Sequence, residues 1–316
     1  PSFNDALISV HSPQTPADIM PDSPARVRLA FDELLSSQVA LAMVRAHMRR
    51  TKGRITEGDG VIREQILGAL PFTLTGSQQQ AISEIAADLA AENRMLRLVQ
   101  GDVGSGKTLV ALLTLAIAVE AGRQGALMAP TEILARQHFQ RLTPLAETAG
   151  IRLGLITGKD KAAQRRQTLA DAADGTIDIL IGTHALFQDD VVFKDLALAV
   201  VDEQHRFGVH QRLALSDKGL AADILVMTAT PIPRTLVLTY FGDMDISTLR
   251  EKPAGRSPID TRALPIDRLN DVVAGIMRAV KNGAQVYWVC PLVEESEEVD
   301  AAAAKDRFEE LKQIFG

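Results

Sequence analysis

The chain has 316 residues, of which 46% are hydrophobic and 23% charged, with a formal net charge of -6 at pH 7 and one cysteine, Cys290. That length suffices for about two domains with separate cores, and no apolar run is long enough to span a membrane. A lone cysteine excludes an internal disulfide and fits a reducing cytoplasm, while the acidic balance does not exclude nucleic acid, because binding depends on where the cations lie.

The chain opens at Pro1 rather than a methionine and lacks the pattern of a secretion signal, so a piece of a longer protein is expected. Residues 1–21 are proline-rich without sustained periodicity and read as a linker or the tail of an absent module. Ser23 followed by Pro24 starts a helix, with Ser23 as N-cap. Val27, Phe31, Leu34 and Leu41 form an apolar stripe at helical spacing. The basic run Arg45, His47, Arg49, Arg50, Lys52 and Arg54 closes it. Those cations suit either a phosphate backbone or a solvated helix C-terminus. Gly58 to Gly60 breaks the pattern.

Phe72, Thr75 and Gln78 precede a helix expected over 79–91. An aromatic and an amide at this point could stack on adenine and read its edge. Equally, Thr75 could be an N-cap within a hydrophobic staple. Next comes Leu98 to Thr108, LVQGDVGSGKT, which matches the P-loop pattern G-x-x-x-x-G-K-[ST]. Gly101, Gly104, Ser105 and Gly106 let main-chain amides approach phosphates. Lys107 brings a point charge to the β- and γ-phosphates, and the Thr108 hydroxyl is a ligand for Mg²⁺. Leu109 to Val119 reads as the helix whose N-terminus faces the anion.

From 96 to 230 strand runs alternate with helical runs. Five strands are expected: Arg97–Gln100, Ala126–Ala129, Ile179–Ile181, Leu198–Val201 and Ile224–Met227. Such alternation predicts an α/β fold, a parallel sheet with helices on both faces. Each strand ends in polar residues: the P-loop, then Pro130-Thr131, Thr183-His184, Asp202-Glu203 and Thr228-Thr230. Ligands of such sheets bind beyond the carboxyl ends of the strands. Asp202 and Glu203 after an apolar strand form the acid pair in which the aspartate holds Mg²⁺ and its neighbour positions or deprotonates the attacking water. His205 and His210 lie five apart with no cysteine nearby, a poor spacing for a metal site.

The ordered motifs TLTGSQ, GDVGSGKT, APTEILARQH, ITGK, IGTHAL, VVDEQHRFGVHQR and MTATPIPRT resemble those of superfamily 2 DNA helicases and translocases. The resemblance implies a RecA-like lobe that binds ATP and Mg²⁺ and a motor that works on branched or forked DNA. It places Phe72, Thr75 and Gln78 at the adenine, Gly104, Gly106, Lys107 and Thr108 at the phosphates and metal, and Asp202 and Glu203 at hydrolysis. Thr228 and Thr230 would couple hydrolysis to movement. Pro130, Thr131, Arg136, Gly158, Thr183 and His184 match motifs that grip one DNA strand by its backbone.

The expected organisation is a linker and helix over 1–60, a first lobe over 61–252, and a hinge with the start of a second lobe over 253–316. That last part is expected to run strand, helix, strand, helix through 259–264, 269–281, 285–289 and 301–314. With so short a second lobe the chain is expected to bind ATP but hydrolyse it slowly; separately, a monomer is expected. Two other classes fit the residues: a P-loop ATPase that does not act on DNA, and a scaffold that merely holds nucleotide.

Overall fold

The computed structural model describes residues 1–50, 53–188, 190–202, 222–229, 244–253, 259–290 and 304–315. The chain divides into two compact units, Pro1–Arg256 and Ser257–Gly316.

The first unit is built on seven strands: β1 Leu96–Gly101, β2 Gln124–Met128, β3 Leu153–Ile156, β4 Ile179–Gly182, β5 Leu196–Asp202, β6 Asp223–Thr228 and β7 Asp245–Leu249. Their order is β3-β4-β2-β5-β6-β1-β7, and every pair is parallel. A wholly parallel sheet needs cover on both faces, and the side chains divide accordingly. Val99, Leu127, Ile181, Val200, Leu225 and Met227 enter one core with the helices that flank it. Their neighbours Ala126, Met128, Leu180, Ala199 and Val201 enter a second core with Phe193 and Leu186. Alternate residues of one strand thus serve opposite faces.

The described helices of this unit are α1 Phe3–His11, α2 Pro24–Arg50, α3 Val61–Gly68, α4 Gly76–Leu89, α5 Lys107–Glu120, α6 Glu132–Thr148 and α7 Ala162–Asp174. Nearly every side chain of α5 is buried from Val110 to Ala118, which explains why its sequence is apolar all round. No helix among the described residues is long and apolar enough to cross a membrane.

The N-terminal residues are more structured than a linker requires. Residues 1–21 are not a featureless linker: Ser2 caps α1 through the Asp5 amide, α1 packs along α2, and a 3-10 turn spans Pro16–Ile19. The first part of the α2 stripe faces solvent. Ser23 does cap that helix, its hydroxyl accepting from the Arg26 amide at 3.3 Å, yet Val27, Phe31 and Leu34 are each more than half exposed. The basic run is not uniformly available for phosphate either. Arg54 is committed to Asp195 in a two-pronged ion pair, and that guanidinium holds the Asp195 carboxyl below the usual carboxylate range.

Arg54 belongs to a strap across the base of the sheet. The Gly53 amide donates to the Glu92 carbonyl at 2.7 Å and the Thr56 amide to the Leu89 carbonyl at 2.8 Å. Arg123 donates to the Thr56 hydroxyl at 2.8 Å, and Arg63 pairs with the fully buried Glu120 side chain at 2.9 Å.

In the second unit the described elements are a 3-10 turn at Ile266–Arg268, then α8 Leu269–Lys281 and α9 Ala304–Phe315. The helix expected over 269–281 is present, and the last one is described over Ala304–Phe315. The strands expected over 259–264 and 285–289 are absent. Ile259, Tyr287 and Val289 are at least three-quarters exposed. A strand is stabilised by its ladder partners, and neither segment pairs with another strand among the described residues.

Candidate nucleotide-binding site

The carboxyl edge of the sheet carries the residues of interest. Strand β1 ends at Gly101, and α5 begins at Lys107 after a loop in which Gly104 has φ 80° and Gly106 φ 88°. Those left-handed conformations favour glycine. At Gly106 a Cβ would also lie 2.3 Å from Gln78 Nε2, so that side chain would have to move. The short turn therefore presents main-chain amides at a helix N-terminus, the arrangement that binds phosphate.

Lys107 is 9% exposed. Its Nζ donates to the carbonyls of Gly101 at 2.6 Å and Asp102 at 3.1 Å, within the loop itself. An ammonium makes a stronger, charge-assisted hydrogen bond to an anionic oxygen than to a carbonyl. The Ser105 hydroxyl is buried and has no hydrogen-bond partner among the described residues. Buried hydroxyls of that kind are uncommon, and a polar ligand in the loop would supply the missing contact. Thr108 is half-buried at the first turn of α5.

Thr75 is the N-cap of α4. Its hydroxyl accepts from the Gln78 amide at 3.3 Å, while Gln78 Oε1 accepts from the Thr75 amide at 2.9 Å. The capping alternative for Thr75 is thus realised, and this cap is why α4 starts at Gly76 rather than at 79. Gln78 Nε2 then donates to the Ser105 carbonyl at 2.8 Å. Phe72 is partly exposed. The first-turn amides of Gly76 and Ser77 are taken by the Glu251 carboxylate at 3.0 and 3.1 Å.

Asp202 is the last residue of β5 and Thr228 the last of β6. Asp202 stands level with Met227, which in turn stands level with Val99, and Thr228 stands level with Gln100. The P-loop and Asp202 are therefore on the same edge, two strand spacings apart, or about 10 Å. Hydroxyl and carboxylate oxygens are the donors that Mg²⁺ prefers, and two of them with several waters complete its shell. No cluster of three or more His, Cys, Asp or Glu suited to a metal occurs among the described residues. Glu203, His205, His210 and Thr230 lie outside the described residues.

A second group gathers at the carboxyl ends of β2, β4 and β3, where Met128, Gly182 and Ile156 stand level. Pro130 leaves β2, and Thr131 caps α6 by accepting from the Leu134 amide at 3.3 Å. Arg136 donates to the Thr157 hydroxyl at 3.2 Å and approaches Asp160 at 3.4 Å, with nearly half its side chain exposed. Gly158 and His184 are exposed. Thr183 is buried, and its hydroxyl caps the 3-10 turn His184–Phe187, accepting from the Ala185 amide at 3.5 Å. The edge thus has a phosphate-like half at β5-β6-β1 and a separate polar half at β2-β4-β3.

One contact was not expected. His138 Nε2, on α6, donates to Asp202 Oδ2 at 2.7 Å, with both side chains buried. Sixty-four positions separate the two residues, so nothing in local spacing announces the pair.

Residues 75–238 match the family model described as DEAD/DEAH box helicase. The chain belongs to the DEAD/DEAH box helicase family. Within that family it is similar to the ATP-dependent DNA helicase RecG of Escherichia coli O157:H7, 44% identical over 98% of this chain and 46% of the relative. It is equally similar to RecG of Bacillus subtilis, 44% identical over 100% of this chain and 46% of the relative. RecG of Thermotoga maritima is 41% identical over 98% of this chain and 40% of the relative. A solved structure of RecG bound to a three-way DNA junction superposes with a TM-score of 0.78 at 39% identity, covering 92% of this chain and 38% of that one. The helicase MrfA, at 18% identity and a TM-score of 0.54, shares the fold. This helicase-family chain spans less than half the length of the curated relatives named here, and its sheet is the RecA-like sheet of the family.

Proposed function

We propose that this chain carries the nucleotide-binding lobe of an ATP-dependent DNA helicase or translocase that works in the cytoplasm on branched DNA, in recombination and repair. The observation that carries the reading is the placement of the Lys107 loop and Asp202 on one sheet edge, two strands apart. The resemblance to RecG over the whole chain supports DNA as the partner.

In this reading Gly101, Gly104, Ser105 and Gly106 offer amides to the phosphates, and Lys107 leaves its carbonyl partners for the β- and γ-phosphate oxygens. Thr108 and Asp202 hold Mg²⁺, which neutralises charge on those oxygens. Glu203 orients and deprotonates the attacking water. Phe72 covers the adenine, with Thr75 and Gln78 beneath it. Thr228 and Thr230 transmit the state of the γ-phosphate. Pro130, Thr131, Arg136, Gly158, Thr183 and His184 receive the DNA backbone, with amides, hydroxyls and one cation rather than base-reading groups.

The test is binding of a non-hydrolysable ATP analogue with Mg²⁺, and of forked DNA at 50 and 200 mM salt. The reading expects nucleotide binding that Lys107→Ala abolishes, and fork affinity that falls at least tenfold across that salt range, as phosphate contacts require. Nucleotide binding with salt-insensitive DNA affinity would instead favour a P-loop ATPase that does not act on DNA.

A further inference from the structure

The His138–Asp202 contact joins the two halves of the edge. Asp202 ends β5, beside the phosphate half, whereas His138 stands on α6, the helix that Thr131 caps and that carries Arg136. The ring nitrogen approaches Asp202 Oδ2 at 2.7 Å, and the two side chains are only 9% and 11% exposed. A carboxylate that binds metal through one oxygen needs its rotamer fixed, and a hydrogen bond to the other oxygen fixes it. A carboxylate as buried as Asp202 also requires a donor to offset its desolvation.

We propose that His138 is a positioning residue for Asp202, holding Oδ2 so that the remaining oxygen is available to Mg²⁺. The proposal rests on the reading of Asp202 as the metal-holding acid. It assigns to α6 a task at the nucleotide in addition to its place in the polar half of the edge. Imidazole is not itself the group a hard cation selects, so the ring acts through the carboxylate.

Two substitutions separate this role from packing. The side-chain amide of His138→Gln can reach the place of Nε2, whereas that of His138→Asn reaches only the place of Nδ1. A fluorescent non-hydrolysable ATP analogue is bound to the 316-residue chain in EDTA and then across a Mg²⁺ titration. The expected result is that His138→Asn raises the Mg²⁺ concentration for half-maximal enhancement by about 10- to 100-fold, the usual effect of removing such a partner. His138→Gln should stay within about threefold of the unsubstituted chain, and affinity in EDTA should change less than about twofold for either. Equal Mg²⁺ titrations for all three proteins would overturn the proposal. So would equal losses in both variants with weakened binding in EDTA, the mark of a packing role. If the unsubstituted chain binds no nucleotide, the nucleotide-site reading itself fails. If it binds nucleotide without any response to Mg²⁺, only the assignment of Asp202, and the proposal with it, is lost.

Discussion

Gln78 Nε2 donates to the Ser105 carbonyl at 2.8 Å, so a helix that precedes β1 is fastened to the loop that follows it. The bond is buried, since Gln78 is 1% exposed. Its other amide atom closes the capping box on Thr75. One side chain therefore sets both the start of α4 and the shape of the phosphate loop.

Gln78→Ala removes both bonds and leaves the Thr75 amide and the Ser105 carbonyl without their partner. Each lost buried bond costs on the order of 1 kcal/mol. We expect nucleotide affinity to fall about tenfold and the unfolding midpoint in urea to drop. Equilibrium binding of a fluorescent nucleotide and urea titration measure the two effects.

Gly106→Ala tests the same joint from the other side. Its φ of 88° is costly for alanine, by roughly 1–2 kcal/mol, and the new Cβ would lie 2.3 Å from Gln78 Nε2. The variant should fold, with α5 intact by circular dichroism, and should bind nucleotide at least tenfold more weakly. In the Gln78→Ala background the clash is gone, so the double variant should lose less than the sum of the two single losses.

Arg97 ties three elements together. Its guanidinium donates to Asp88 at 2.7 Å and Glu84 at 3.0 Å on α4 and to the Ser247 hydroxyl at 2.9 Å on β7. It is 9% exposed, which leaves the pair poorly screened. Arg97→Ala should cost about 2 kcal/mol, less than for a fully buried pair because both carboxylates reach solvent. Urea denaturation of the single variant checks the cost, and a double-mutant cycle with Glu84→Ala should show coupling.

Asp223 predicts a pH dependence. It opens β6, is almost fully buried, and accepts from the Met95 amide at 2.6 Å. Burial pushes its carboxyl up from the usual 3.8 to about 7, against the smaller opposing pull of that amide and of Arg94. A carboxyl raised in the folded state binds its proton more tightly there than in the unfolded chain. Its contribution is thus fully present below pH 3.8 and is lost as pH rises toward 7. Asp223→Asn keeps an acceptor for Met95 and cannot titrate. Between pH 5 and 8, stability should fall less in this variant than in the parent, as read from urea midpoints.

Much of this architecture is legible in the sequence, and the failures have physical causes. Strands β1, β2, β4, β5 and β6 are buried throughout or nearly so, so their apolar runs stand out. The two that escape notice are the sheet's edges, β3 and β7. Leu153–Ile156 is four residues long with a glycine inside, and Asp245–Leu249 begins with an acid and carries Ser247 and Thr248. Edge strands are half-exposed and need no continuous apolar pattern. The reverse error at 285–289 has the complementary cause: β-branched and aromatic residues permit a strand, but pairing decides it. In the site, Lys107 and Asp202 are readable because each carries a local motif. The His138 contact is not, because only the fold brings α6 over the end of β5.

The most direct test is a crystal structure of the chain with Mg²⁺ and a non-hydrolysable ATP analogue. The account predicts the β-phosphate within the loop 101–108 and Lys107 Nζ withdrawn from the Gly101 carbonyl. It further predicts Mg²⁺ at roughly 2.1 Å from the Thr108 hydroxyl and joined to Asp202 directly or through one water. A triphosphate seated away from that loop, or a metal that touches neither Thr108 nor the shell of Asp202, would contradict it.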